Sequence, residues 1–105
     1  MGRSNRQTPM YLAVKLRAIR TQLGLTQEQM IERLGSAAKA LYPASISQYE
    51  SGKREPPLAV LLQYARTAGV PVDMLVDDEQ DLPHPLPSIT GKQLMLRLTH
   101  VPRRR

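Results

Sequence analysis

The sequence predicts an all-α protein, with one compact domain of about five short helices and a proline-rich, partly extended C-terminal tail. The chain has 105 residues, which is enough for one compact domain. Between residues 10 and 76 the apolar side chains recur at intervals of three and four, the spacing of one helix face. Capping residues and glycines divide this region into short segments, and none of them alternates as a strand does.

The first two helices have distinct start and stop signals. The first ends at Gly24, which can adopt the left-handed conformation that follows a helix, and a second runs from Thr26 to about Gly35. Thr26 and Gln29 have the spacing of a reciprocal capping box. The apolar face of the first helix comprises Leu12, Leu16, Ile19 and Leu23.

Three more helices are expected after these. Residues 45–50 form a helical run that closes at Gly52, a fourth helix follows Pro57 and stops at Gly69, and residues 70–76 supply a last turn. The predicted core comprises Leu16, Ile19, Leu23, Met30, Leu34, Ile46, Leu58, Leu61, Leu62, Ala65 and Leu75.

Charge and proline content divide the chain into three regions. Residues 1–9 form a basic N-terminal arm, residues 10–77 the helical domain and residues 78–105 the proline-rich tail. Lysine and arginine number 15 against nine acids, a net charge of +6, and in so small a protein this excess favours polyanionic partners such as nucleic acid.

Several function classes find no support in the sequence. There is no cysteine, no His pair at metal-ligand spacing, no glycine-rich phosphate loop and no apolar stretch of membrane-spanning length. We therefore expect a cytoplasmic protein that is not an enzyme, needs no cofactor or metal and does not contact membranes.

Six short motifs, in order, resemble the Cro/C1-type (XRE-like) helix-turn-helix family of DNA-binding regulators. The motifs are Leu16–Arg20, Gly24–Gln27, Leu34–Gly35, Ile46–Glu50, Gly52–Pro56 and Gly69–Leu75. The resemblance covers about residues 12–77 and implies a compact helical domain that binds double-stranded DNA through its third helix.

One connection departs from the family pattern. Gly35 and Ile46 are eleven positions apart, about five more than the family usually has. Either the second helix continues toward Leu41, or a longer turn packs on Leu41 and Tyr42. The third helix is expected to begin near Tyr42 or Pro43, and contacts from its leading turn stay open.

Base reading is assigned to short or amide side chains on the exposed face of the third helix. Ser45, Ser47 and Gln48 meet this requirement, and a glutamine can bond adenine N6 and N7 together. For the two serines, capping or plain solvent exposure is the alternative.

Phosphate contacts are expected from groups that flank this helix. The resemblance implies Gln27, at the start of the second helix, as one phosphate ligand. Lys53 and Arg54 follow the third helix, Arg17 is a candidate on the first, and the hydroxyl of Tyr49 is another. For the three cations, solvated surface charge is the alternative.

The resemblance also implies that Arg20 and Glu50 pair between the first and third helices. We expect this ion pair to be structural, a partly buried bidentate bond that orients the third helix. Two separate surface charges are the alternative.

Two interpretations of function follow. The first is a transcriptional regulator, in particular a repressor that binds an inverted-repeat operator as a homodimer. The second is an antitoxin or adaptor whose tail binds a partner protein, with the alternating Leu94, Leu96 and Leu98 as a candidate pairing strand.

In the arm, Arg3 and Arg6 are candidates for the minor groove, with disorder as the alternative.

Overall fold

The computed structural model describes residues 9–89, and within them the chain is helical with no strand. Five α-helices lie within residues 9–86, in this order: α1 (Leu12–Gln22), α2 (Gln27–Leu34), α3 (Pro43–Glu50), α4 (Leu58–Ala68) and α5 (Asp73–Val76). A 3-10 helix, Gly35–Ala38, follows α2 directly. The all-α prediction is confirmed. Residues 1–8 of the predicted arm and the candidate strand around Leu94 lie outside the described residues.

The predicted start of α2 is present with its full capping box. The Thr26 hydroxyl accepts a hydrogen bond from the Gln29 amide at 3.0 Å, and the Thr26 amide donates to Gln29 Oε1 at 2.9 Å. Two backbone donors at the helix terminus, which have no partner inside the helix, are thereby satisfied. This cap determines where α2 begins and therefore where it meets α3.

The long connection before α3 is a turn, and α2 does not continue toward Leu41. The chain leaves the α-helical path at Gly35, and the 3-10 helix buries Ala38. Leu41 packs against the core, and its amide donates to the Ala38 carbonyl at 2.9 Å. The expectation that Tyr42 also packs here is wrong, because Tyr42 is 72% exposed.

The core joins all five helices, but α4 contributes a different face from the predicted one. Leu58 is 73% exposed and Leu62 is 37% exposed, so both are wrongly assigned to the core, whereas Leu61 and Ala65 are buried as expected. The true inner face of α4 comprises Val60, Leu61, Tyr64, Ala65 and Ala68. The helix is apolar on more than one side, and its packing partners determine which side is buried.

Residues 77–89, here called the C-terminal strap, pack onto the helices. Lys15 is buried, and its ammonium group donates to the carbonyls of Met74, Asp77 and Gln80 at 2.7, 3.0 and 2.7 Å. Leu86, from the segment expected to be tail, is fully buried in the core. The packed unit therefore includes residues beyond 77.

The C-terminal strap also accepts hydrogen bonds from backbone amides just before α1. The Asp78 carboxylate accepts hydrogen bonds from the backbone amides of Met10 at 2.9 Å and Tyr11 at 3.1 Å. Within the strap, the Gln80 side chain donates to the Asp77 carboxylate, and this hydrogen bond lowers the pKa of Asp77. The strap thus holds the N-terminal end of α1 in position.

Candidate nucleic-acid interface

Helix α3 has one buried side and one exposed side. Ile46 and Tyr49 are buried, three positions apart, against α1 and α2. Ala44 and Ser47, also three positions apart, are exposed on the opposite side. Since side chains three and four positions apart share a helix face, the packing of α3 leaves a continuous outer surface that a nucleic-acid groove could accept.

The three candidate base-reading residues occupy different environments. Ser47 is exposed, whereas Ser45 and Gln48 are half-buried. The Ser45 hydroxyl accepts a hydrogen bond from the Tyr42 amide at 3.2 Å, so it caps the helix, as the alternative interpretation expected. Its own hydrogen is still available for donation, since a hydroxyl both donates and accepts.

Lys53 and Arg54 are exposed in the loop that follows α3, and backbone bonds determine their position. The Gln48 carbonyl accepts hydrogen bonds from the Lys53 amide at 2.9 Å and the Arg54 amide at 3.2 Å. The Ser51 hydroxyl also donates to this carbonyl, at 3.2 Å. The carbonyl of Gln48 therefore fixes the backbone of Lys53 and Arg54 directly at the end of α3.

The other candidate phosphate ligands lie on α1, α2 and α3. Gln27 is the first residue of α2 and is half-buried, at the end where the helix dipole is positive. Arg17 is exposed on α1. Tyr49 is only 2% exposed, so its side chain packs in the core of the domain.

Arg20 and Glu50 form a bidentate ion pair between α1 and α3. Arg20 Nε lies 2.6 Å from Glu50 Oε2, and Nη2 donates to Oε1 at 2.9 Å. The side chains are only 15% and 6% exposed. Arg20 Nη1 also donates to the Leu25 carbonyl at 2.9 Å, so one guanidinium group connects α1, α3 and the turn between α1 and α2.

This geometry explains the titration behaviour of Arg20 and Tyr64. The hydrogen bond to Glu50 raises the pKa of Arg20, so its positive charge is permanent. Burial raises the pKa of Tyr64, and the negative charge of Glu50 adds to this shift. Both side chains therefore keep their protons at any physiological pH.

Sequence reasoning did not identify Tyr64 as part of the core. Its side chain is fully buried, and its hydroxyl has no hydrogen-bond partner within residues 9–89. The available signal was the spacing of Val60, Tyr64 and Ala68, which places these residues on one helix face.

A groove of about 390 Å³ lies between the start of α1 and the loop after α3. Pro9 and Met10 line one side, Lys53 and Arg54 line the other, and Tyr49 also contributes to the wall. Pro9, the first described residue, thus lies across the groove from these two cations.

Two other features are absent from the described part of the chain, a metal-binding cluster and a membrane-spanning helix. Residues 9–89 contain no cluster of His, Asp or Glu side chains that could hold a metal ion. Among the described helices, none is both long and apolar enough to span a bilayer.

The comparison with protein families agrees with the geometry. A helix-turn-helix family model matches residues 16–75, more than half of the chain, from within α1 to α5. No curated protein and no solved structure gave a significant match to the chain. The match includes the capped α2, the outward-facing α3 and the Arg20–Glu50 pair. The chain therefore belongs to the Cro/C1-type helix-turn-helix family of DNA-binding transcription regulators.

Proposed function

We propose that this protein is a transcriptional repressor that binds an inverted-repeat operator in double-stranded DNA as a homodimer. The observation that carries the proposal is the exposed side of α3, which includes Ser47, followed directly by exposed Lys53 and Arg54, whose backbone amides bond the Gln48 carbonyl. The proposed protein is cytoplasmic, has no catalytic activity and needs no cofactor.

In this proposal α3 lies in the major groove and reads base edges with amide and hydroxyl groups. Gln48 bonds adenine through N6 and N7, and Ser47 donates to or accepts from a neighbouring base. Ser45 keeps its capping bond to Tyr42 and contributes its hydroxyl hydrogen. Base contacts supply specificity, so their loss affects the cognate site more than other sequences.

The sugar-phosphate backbone is held by groups on both sides of α3. Lys53 and Arg54 bind phosphates next to the C-terminal end of α3, and Arg17 adds a cation from α1. Gln27 contributes its side-chain amide at the N-terminus of α2, where the helix dipole favours an anion. These contacts determine orientation and supply most of the salt dependence.

A homodimer is proposed because α3 has only eight residues and one such helix reads too few bases for useful specificity. Two copies on one face of the duplex would contact half-sites about 34 Å apart, one helical turn. The proline-rich tail, residues 78–105, is the proposed source of the dimer contact.

The test begins with selection of binding sites from a randomised duplex library by the full chain. We expect an inverted repeat, two protomers per duplex by light scattering, and transcription that falls when the selected site overlaps a promoter. A rise in transcription would indicate an activator. Failure to bind duplex DNA without a co-purifying protein would favour the adaptor interpretation.

Salt dependence and matched variants then separate base reading from phosphate binding. With about six phosphate contacts per dimer, log K falls against log salt with a slope of about −5. Gln48→Ala is expected to cost about 1–3 kcal/mol at the cognate site only. Lys53→Ala weakens all sequences similarly and reduces the slope, whereas Arg66→Ala, which removes an exposed cation of α4, changes neither. Identical patterns for Gln48→Ala and Lys53→Ala would contradict the assignment.

A further inference from the structure

The tip of α3 carries an exposed apolar surface that the base-reading and phosphate-binding residues do not include. Tyr42, Pro43 and Ala44, here called the leading edge, are all exposed, and Tyr42 is 72% exposed. The first hydrogen-bonding side chain after them is Ser45, whose oxygen already accepts the Tyr42 amide. The leading edge therefore offers mainly carbon surface where the helix begins.

The backbone of Tyr42 is fixed by contacts of the residues that precede and follow it. Its backbone is extended, with φ −121° and ψ 165°, as the residue before a proline prefers. Its amide donates to Ser45 Oγ at 3.2 Å, and its carbonyl accepts the Ser45 amide at 2.8 Å. On the other side, Leu41 packs into the core. Since the backbone is held in this way, a contact made by the ring orders little more than the side chain itself.

The lengthened connection between α2 and α3 accounts for this arrangement. Ala38 is buried and Leu41 is half-buried in the core, so the turn is attached to the domain immediately before Tyr42. The attachment carries Tyr42 past the core and leaves its ring in solvent.

We propose that the leading edge reads a thymine methyl group in the major groove, with Tyr42 packing on that methyl. This inference rests on the proposed function, in which α3 lies in the major groove. The N-terminal residues of a recognition helix are the ones that approach base edges. Thymine is the base that presents an apolar group in that groove, and proteins read it by apolar contact. The operator therefore contains a thymine in each half-site opposite the start of α3.

The experiment replaces the methyl without changing the base pairing. The probe is the duplex selected by the wild-type chain, with each thymine replaced singly by deoxyuridine, and affinity is measured by fluorescence anisotropy. One position per half-site is expected to lose about fourfold in affinity, the effect of one buried methyl group. Tyr42→Ala should weaken the unmodified duplex and show no further loss at that position.

Two variants serve as controls. Tyr42→Phe retains the ring and should retain both the affinity and the deoxyuridine effect. Leu58→Ala removes a side chain of similar exposure, 73%, from α4 and should bind as the wild type does. Because Tyr42 is exposed, we expect an unchanged Tm for Tyr42→Ala. An unchanged salt slope in Tyr42→Ala would further support an uncharged contact.

Three outcomes would overturn the inference. They are a Tyr42→Ala chain that binds as the wild type does, a deoxyuridine effect that persists in Tyr42→Ala, and a Tyr42→Phe chain that loses as much as Tyr42→Ala. The last result would assign the hydroxyl to a phosphate. If the wild-type chain selects no duplex sequence, the proposed function fails first, so the two failures are distinguishable.

Discussion

Removal of Arg20 is expected to destabilise the domain more than removal of Glu50. In Arg20→Ala the Glu50 carboxylate, only 6% exposed, loses both of its hydrogen bonds from the guanidinium group. The Leu25 carbonyl loses its hydrogen bond from Arg20 as well. Breaking a buried pair in this way costs about 3–5 kcal/mol, because the remaining charge is left without compensation. In Glu50→Ala the guanidinium keeps its bond to Leu25 and is 15% exposed, so we expect about 2–3 kcal/mol.

Urea unfolding followed by circular dichroism measures both losses, and the double variant completes a thermodynamic cycle. A coupling free energy of at least about 1 kcal/mol is expected for two side chains in direct contact. DNA affinity should fall in both single variants, since α3 loses its link to α1. Additive effects would refute the structural role of the pair. An Arg20→Ala chain of unchanged stability but weaker DNA binding would instead make Arg20 a phosphate ligand.

Three further predictions compare a packed position with a matched open one, each by urea unfolding. Leu61→Ala should cost about 2–5 kcal/mol and Leu58→Ala less than about 1 kcal/mol, since only Leu61 is buried. Equal losses of stability would contradict the observed orientation of α4. Gly24→Ala should cost about 1 kcal/mol, because the φ of Gly24 is +72°. Gly69→Ala should cost more, because a Cβ at Gly69 would also lie 2.9 Å from the Ser88 backbone nitrogen; similar costs would mean that the C-terminal strap does not pack on α4. Lys15→Met should cost about 2–4 kcal/mol, because three carbonyls lose their hydrogen-bond donor, whereas Arg17→Met, at an exposed position, should change stability by less than about 0.5 kcal/mol. If Lys15→Met left the free energy of unfolding unchanged, these bonds would have no stabilising role.

The parts of the fold that depend on neighbouring residues were predictable from sequence. The Thr26–Gln29 capping box, the end of α4 at Gly69 and the start of α3 at Pro43 are present where the pattern indicated. Each of these signals acts through hydrogen bonds or backbone conformations within a few residues, so local sequence contains the information.

The candidate interface was predictable to a different degree. The exposed side of α3 lies opposite Ile46, which the sequence assigned to the core, and Tyr49, which is also buried. The capping bond of Ser45 and the exposure of Tyr42 do not follow from spacing, because both depend on how the lengthened turn attaches to the core. A change of a few residues in such a turn reorients every side chain at its end.

The sequence by itself determined the helical class, the order of the helices and the family, because helix caps, apolar periodicity and the family motifs are local patterns. Only the tertiary structure decided which side of α4 is buried, that Leu86 completes the core and that Lys15 lies inside rather than in solvent. Val60 and Leu58 are equally apolar, and Lys15 and Arg17 are both cations on α1. What distinguishes them is the element that packs against each one, and contacts between distant segments are not encoded in the spacing of either segment alone.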